Sequence, residues 1–281
     1  VTEFQNAIAC AQRVFELIEE EPQIPEPEQA VVLKDIDGNV KIEDVSFSYV
    51  PEQKLIEDFN LDVKPGQKIA IVGPTGCGKT TFLNSLTKLY SIDQGRITLN
   101  GEAINPRRQN IAYIFQEYST MEWLTVEENI GYGLRIKHID KAEIQRRVQD
   151  VMEMVGLTKY ARFYPGQLSA SMLQRVVIAR AFAVQPELLL MDEPYGQLDL
   201  QLKYHLEDEL IRLWQKTHTT VIFITHNIEE AVYLSDRILV LTNKPTKIKQ
   251  SLSNDLPRPR KVSEPEFIKL RNEVTDLIKW W

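Results

Sequence analysis

Eight residues constrain this chain more than any others: Gly73-Pro74-Thr75-Gly76-Cys77-Gly78-Lys79-Thr80. They follow a short, β-branched apolar run, Lys68-Ile-Ala-Ile-Val72, and open a helical stretch from Lys79 to about Leu89. The run matches the phosphate-loop pattern G-x-x-x-x-G-K-[ST] in full and in its required strand-to-helix setting. Glycines let backbone N–H groups turn inward around phosphate oxygens, and the helix N-terminus adds a favourable dipole. Lys79 brings a cation to the β- and γ-phosphates, while Thr80 offers a hydroxyl to Mg²⁺ and Thr81 continues the same turn. Cys77 has no histidine near it in sequence and reads as a spectator thiol within the loop.

The rest of the chain supplies an α/β frame for that loop. Residues 188–191 and 221–225 are further apolar strand candidates, each followed by a polar turn and a helical pattern, as in a mostly parallel sheet. Between them, Leu202, Leu206, Leu210, Leu213 and Trp214 share one helical face. From 40 to 63 the pattern is short and alternating, with Val45, Phe47 and Tyr49 on one side, which predicts a small antiparallel sheet. Residues from about 117 to 185 are helical without strong strand signals and form an inserted helical subdomain. Phe4, Ile8, Ala11, Phe15 and Ile18 stripe an opening helix, which Pro22, Pro25 and Pro27 end in a stiff acidic linker. The expected division is therefore 1–30, helix and linker; 31–245, one domain; and 246–281, a tail. Lys244, Lys247, Lys249, Arg258, Arg260 and Lys261 make that tail basic, which predicts a solvated face.

Composition removes several alternatives. At 281 residues the chain is long enough to bury a core without disulfides or metals. No apolar run approaches the roughly 18–20 residues of a membrane-spanning helix. Two cysteines, Cys10 and Cys77, and four scattered histidines provide neither a disulfide framework nor a Cys/His metal site, in keeping with a reducing, cytosolic setting. A net charge of −7 argues against a broad nucleic-acid footprint. Glu3 and the Glu19-Glu20-Glu21 run stand where a signal peptide would carry basic and apolar residues.

Leu188-Leu-Leu-Met-Asp192-Glu193 is an apolar strand ending in two carboxylates. After a phosphate loop, Asp192 is suited to the magnesium shell and Glu193 to orienting and deprotonating a water in line with the γ-phosphate. From about 40 to 242 the chain resembles the nucleotide-binding subunits of ATP-binding-cassette (ABC) transporters. Tyr49 is similar to the aromatic residue that stacks on adenine, Gln116 in Ile114-Phe-Gln116-Glu to the Q-loop glutamine that reaches the metal, Asp199 in Gly196-Gln-Leu-Asp199 to the D-loop, and His226 to the switch histidine at the γ-phosphate. Taken singly, Tyr49 also reads as a strand aromatic, Gln116 as a turn residue and His226 as a strand cap; their order after the phosphate loop favours the resemblance.

That resemblance implies a RecA-like α/β core with an antiparallel β-subdomain and an inserted helical subdomain. It implies an ATPase using ATP and Mg²⁺, and a head-to-tail dimer with a second copy or a related subunit. It also implies a separate membrane permease as partner, no nucleic acid, and a cytoplasmic position at the inner face of the membrane. Leu168-Ser169-Ala170-Ser171-Met172 stands where the family carries LSGGQ. Ser169 is kept, but Ala170 and Ser171 replace glycines that permit close backbone approach to phosphate. The expectation is reduced but present hydrolysis, against the alternative of a nucleotide-binding chimeric or engineered domain that acts as a scaffold with weak or no turnover. The first hundred residues resemble exporter-type half-transporters, whose opening helix continues from a membrane span. From about 107 onward, Trp123-Leu-Thr-Val-Glu-Glu-Asn129 and Asp255-Leu-Pro-Arg-Pro-Arg260 resemble nitrate, sulfonate and taurine importer ATPases. Two readings of that crossover near 100–108 stand: a chimera, or a single unusual family member.

Overall fold

The computed structural model describes residues 38–50, 53–196 and 200–279. The helix and linker expected over 1–30, Asp199, the Leu202 side chain and the terminal Trp280 and Trp281 lie outside the described residues.

Alternating burial builds the first sheet. In β1 (Val40–Val50), Val40, Ile42, Val45 and Phe47 are buried, and in β2 (Gln53–Val63) the same is true of Leu55, Ile56, Phe59, Leu61 and Val63. The two strands pair antiparallel, and β4 (Gln94–Leu99) and the two-residue β5 (Glu102–Ala103) complete a four-stranded sheet in the order β2-β1-β4-β5. This is the expected antiparallel β-subdomain.

The second sheet has six strands in the order β10-β9-β3-β8-β7-β6. Its members are β3 (Lys68–Val72), β6 (Ile111–Ile114), β7 (Leu188–Asp192), β8 (Thr220–Ile224), β9 (Arg237–Leu241) and β10 (Ile248–Ser253). All neighbours are parallel except β9 and β10. Both faces are covered, so the parallel strands read as continuous apolar runs. Ile69, Ile71, Leu188, Leu190, Ile222 and Ile224 face a core shared with the β-subdomain and helix α1 (Lys79–Leu86). Ala70, Val72, Leu189, Met191, Val221 and Phe223 face the other core, against α4 (Ala170–Ala183) and α5 (Leu200–Thr217). Helix α1 stops short of Leu89 because the chain turns through a left-handed residue at Lys88.

Between β6 and β7 lie α2 (Val126–Ile136), α3 (Lys141–Met154), two short 3-10 turns and α4, the expected helical insertion. Helix α2 opens with a capping box: Glu128 N–H donates to the Thr125 hydroxyl, and Thr125 N–H to the Glu128 carboxylate. The fully buried Asn129 amide donates to the carbonyls of Met121, Leu124 and Thr125, so it pins the loop before that helix.

The tail expected after residue 246 is part of this fold. Strand β10 extends the main sheet, and α7 (Pro265–Ile278) buries Phe267 and Val274 against the larger core. The expectation of a solvated basic face fails for Arg260, which is 6% exposed and donates to five backbone carbonyls, and for Arg258, which pairs with Asp236 at 2.9 Å. A pattern of charges along a sequence cannot show that carbonyls at the end of a distant helix will receive them.

Segments on either side of 100–108 are joined throughout. Strand β3 lies between β8 and β9, Lys68 pairs with Asp236 at 3.2 Å, and Asn100 donates to Glu187 at 3.1 Å.

Candidate active site

Parallel strands bring four motifs to one edge. The carboxyl ends of β3, β6, β7 and β8 lead respectively into the glycine loop, Gln116, Glu193 and His226, the edge where open α/β sheets bind ligands. A cavity of about 730 Å³ opens there, lined by Tyr49, Leu55, Thr75, Gly76, Gly78, Lys79, Thr80, Thr81, Gln116, Glu193, His226 and Lys244. Ten of those residues are ones the sequence marked for the site. Leu55 and Lys244 are not, because nothing in their local pattern shows that the β-subdomain and the β9–β10 turn close over the loop.

The loop is built by backbone geometry. Gly76 and Gly78 take φ of +77° and +92°, a region L side chains rarely occupy. A Cβ on Gly78 would also lie 3.0 Å from the Leu55 side chain. Lys79 is 8% exposed, and its ammonium donates to the carbonyls of Gly73 and Pro74, both at 2.9 Å, so it curls over the loop. Gly73, Pro74 and Cys77 therefore shape the loop without lining the cavity. The Cys77 side chain is buried, and burial pushes its thiol up from the ordinary range, in agreement with a spectator. The Thr246 hydroxyl donates to the Cys77 carbonyl and ties the loop to the β9–β10 turn.

Glu193 is the centre of the polar cluster. Its Oε2 accepts from Gln116 Nε2 at 3.3 Å and lies 3.0 Å from His226 Nδ1. Its backbone sits at φ +46°, in the left-handed region, and is held there by its own N–H donating to Ile224 O at 3.0 Å and by Gly196 N–H donating back to its carbonyl at 3.2 Å. A non-glycine residue in this region costs of order 1 kcal/mol and marks a place where surrounding structure dictates side-chain aim. Asp192, one residue earlier, is 6% exposed. Burial pushes its carboxyl up, while the adjacent Thr80 hydroxyl and Lys79 ammonium pull the other way.

Tyr49 is 61% exposed at the cavity rim, with its hydroxyl 2.7 Å from Thr81 Oγ1. Phe47 meets its ring edge-on at 5.0 Å, and Tyr90 does so at 5.9 Å. Neither Ser169 nor Ser171 lines the cavity. Ser169 N-caps α4, accepting from Met172 N–H at 3.4 Å, and the Ser171 hydroxyl is 3.5 Å from that of Ser169. Asp199 lies outside the described residues.

A smaller cavity, about 200 Å³, shares Glu193 and His226 with the larger one and is lined by both of them with Tyr195, Gly196, Lys203, Thr225, Asn227 and Glu230. Lys203 pairs with Glu230 at 2.7 Å and lies 3.8 Å from Glu207. Glu207 is fully buried, and neither of its carboxyl oxygens has a hydrogen-bond partner among the described residues. Burial, followed by the charge of Glu230, pushes the Glu207 carboxyl up to about 8.

A glycine loop on a parallel sheet, two carboxylates at the end of the neighbouring strand and a histidine at the end of the next define an ATP-hydrolysing P-loop cassette. The family model for ABC transporters matches residues 56–196. An ABC transporter ATP-binding protein of Methanocaldococcus jannaschii is 41% identical over 226 residues, spanning 80% of this chain and 85% of its own length. An aliphatic sulfonates import ATP-binding protein of Bacillus cereus is 39% identical over 221 residues, spanning 79% and 87%. Among solved structures, the dimeric structure of the bacterial ABC transporter cassette MJ0796 aligns at 28% identity with a TM-score of 0.68, covering 78% of this chain and 100% of that one. A post-hydrolysis dimer of that cassette, bound to ADP and Pi, gives 0.67 at 28% identity over the same shares of the two chains. The chain belongs to the ABC transporter family; it is an ATP-binding subunit of the transporter type and an ATPase.

Proposed function

We propose that this chain binds MgATP in the larger cavity, hydrolyses it between two head-to-tail copies, and drives a separate membrane permease. The observation that carries this reading is that one cavity collects the loop ammonium, the Tyr49 ring, the Glu193 carboxylate and the His226 imidazole. In the proposed site, backbone N–H groups of Thr75, Gly76, Cys77 and Gly78, with Lys79, hold the β- and γ-phosphates, and Tyr49 stacks on the base. Thr80, Asp192 and Gln116 form an oxygen donor set that fits a hard divalent cation sharing phosphate oxygens, and Mg²⁺ bound there would neutralise charge developing on the γ-phosphate. Glu193 orients the attacking water and takes its proton, while His226 leaves Glu193 for the γ-phosphate.

Ser169 and Ser171 lie outside the lining of this cavity, and their proposed partners are the phosphates held by a second copy, with Asp199 alongside. The inserted helices over about 117–185 are the part that would face the permease, placing the subunit at the inner surface of the membrane. Gln116 stands where that insertion begins, so a shift of the helices would be felt at Glu193.

Turnover of purified chain tests the reading. Lys79→Ala is expected to abolish nucleotide binding and hydrolysis together. Glu193→Gln is expected to retain binding of MgATP and lose hydrolysis by at least about a hundredfold. Phosphate release by Lys79→Ala equal to that of the unaltered chain would overturn it.

A further inference from the structure

Helix α6 (Ile228–Leu234) begins two residues after His226, with Asn227 as its N-cap: the Asn227 side chain accepts from Glu230 N–H at 3.1 Å. Seven residues make barely two turns, so both ends of α6 lie within reach of any force on either one. A helix of that length leaves its last carbonyls without intrahelical partners. Here every carbonyl from 232 to 235 is taken by a side chain from the segment after β10. Arg260 Nη1 donates to Val232 O, Tyr233 O and Ser235 O at 2.8, 3.0 and 2.6 Å. Asn254 Nδ2 donates to Val232 O at 2.7 Å and Ser235 O at 3.0 Å. Arg258 donates to Tyr233 O at 3.2 Å and Leu234 O at 2.6 Å.

The segment is itself braced. Arg260 donates to Leu256 O and Asn254 O within its own loop, and Asn254 N–H donates to Asp236 O at 2.9 Å. Arg258 pairs with Asp236, whose other oxygen accepts from Lys68 N–H at 3.0 Å, at the start of the strand that ends in the glycine loop. Burial alone would raise the Asp236 carboxyl, but the charges of Lys68 and Arg258 outweigh it and hold it below its ordinary value. Burial pulls the Arg260 guanidinium down to about 10, so it still carries its charge at neutral pH, at a helix C-terminus where a cation is favoured. The opposite end of α6 is held by Lys203 on Glu230 and by Arg271 of α7 on Glu229 at 3.5 Å.

We propose that Asn254, Arg258 and Arg260 are positioning residues for His226: by taking the terminal carbonyls of α6 they set where the helix ends, hence where it begins, and so the reach of the imidazole toward Glu193. The clamp acts through backbone, touches no nucleotide and joins the C-terminal segment to the switch. It rests on the reading of His226 as the γ-phosphate switch.

The test compares the full chain with Arg260→Ala, Arg260→Lys and Asn254→Ala, measuring single-turnover hydrolysis of radiolabelled ATP and the affinity for a fluorescent ATP analogue. Misplacement of a reacting group by about 1 Å costs up to about a hundredfold in rate. Arg260→Ala is expected to slow hydrolysis at least about tenfold with affinity changed less than about twofold, and Arg260→Lys to recover part of the rate. If Arg260→Ala does not fold, Asn254→Ala and Arg260→Lys are judged by the same split. Unchanged hydrolysis in folded variants overturns the clamp, as does a loss of rate and affinity in equal measure. In a His226→Ala background, Arg260→Ala should add nothing, and a further loss of the same size overturns the clamp. Full activity of His226→Ala alone would instead overturn the switch reading, whatever the Arg260 variants do.

Discussion

Replacing Glu207 by glutamine is expected to stabilise the protein at alkaline pH and to leave it little changed near pH 4.5. The carboxyl is fully buried beside Glu230, with Asp208 and Glu229 adding like charge and only Lys203 opposing them. One buried ammonium cannot neutralise two carboxylates, so Glu207 keeps its proton in the fold at neutral pH. Its folded value of about 8 lies above the ordinary 4.5. The folded state therefore binds the extra proton between those two values, and stability falls as pH rises from about 4.5 through about 8 and is level above that. A shift of this size corresponds to at most about 5 kcal/mol, and relaxation and water entry around the pair reduce it to about 2–3 kcal/mol. For a domain of this size that is a difference of about 5–10 °C in melting temperature. Glutamine cannot ionise, so the melting temperatures of Glu207→Gln and the unaltered chain should diverge from about pH 4.5 to about 8 and stay apart by a constant amount from there to pH 9, with the variant the more stable. A difference between the two that stays constant from about pH 4.5 to about 8 would refute the argument.

Tyr49→Phe keeps the ring but loses the hydroxyl bond to Thr81, which is worth about 0.5–1.5 kcal/mol and acts on ATP only by orienting the ring, so KM for ATP should rise by no more than about tenfold. Tyr49→Ala should raise it further, and equal KM values for the two variants would remove the stacking role. Restoring both signature glycines, Ala170→Gly with Ser171→Gly, should raise the rate of hydrolysis several-fold while costing about 1–2 kcal/mol of stability, because both positions lie in the first turn of α4 with ordinary helical backbone. A slower double-glycine variant would show that the substituted segment is already suited to its phosphate.

Local chemistry made most of this site legible. Gly76 and Gly78 announce themselves because their φ values exclude most other residues, and Asp192 and Glu193 because two carboxylates closing an apolar strand need a purpose. Sequence periodicity likewise suffices for β3, β7 and β8, which are apolar on both faces, and for α5, with Leu206, Leu210, Leu213 and Trp214 buried on one side. Long-range closure was not legible. Lys244 reaches the cavity, and Thr246 the Cys77 carbonyl, only because β9 lies beside β3. Arg258 and Arg260 look like surface charge until their acceptors, some 24 to 28 residues away, are seen to be carbonyls at a helix end. Glu207 gave no signal because alternate residues of an amphipathic helix are expected to be charged, and its burial depends on α6 packing over it.

The arrangement at Glu193 also bears on how hydrolysis would be withheld between cycles. A single carboxylate oxygen is engaged from two sides, by the Gln116 amide and by His226. An oxygen occupied in this way is a weakened acceptor for a water proton. Under the proposed roles each of those partners has somewhere better to go, Gln116 to the metal and His226 to the γ-phosphate. Arrival of MgATP would then free the base at the moment its substrate is in place, and loss of phosphate would let the pair return. The strained φ of Glu193 fits this exchange, because a backbone held by Ile224 O and Gly196 N–H keeps the carboxylate aimed while its partners change.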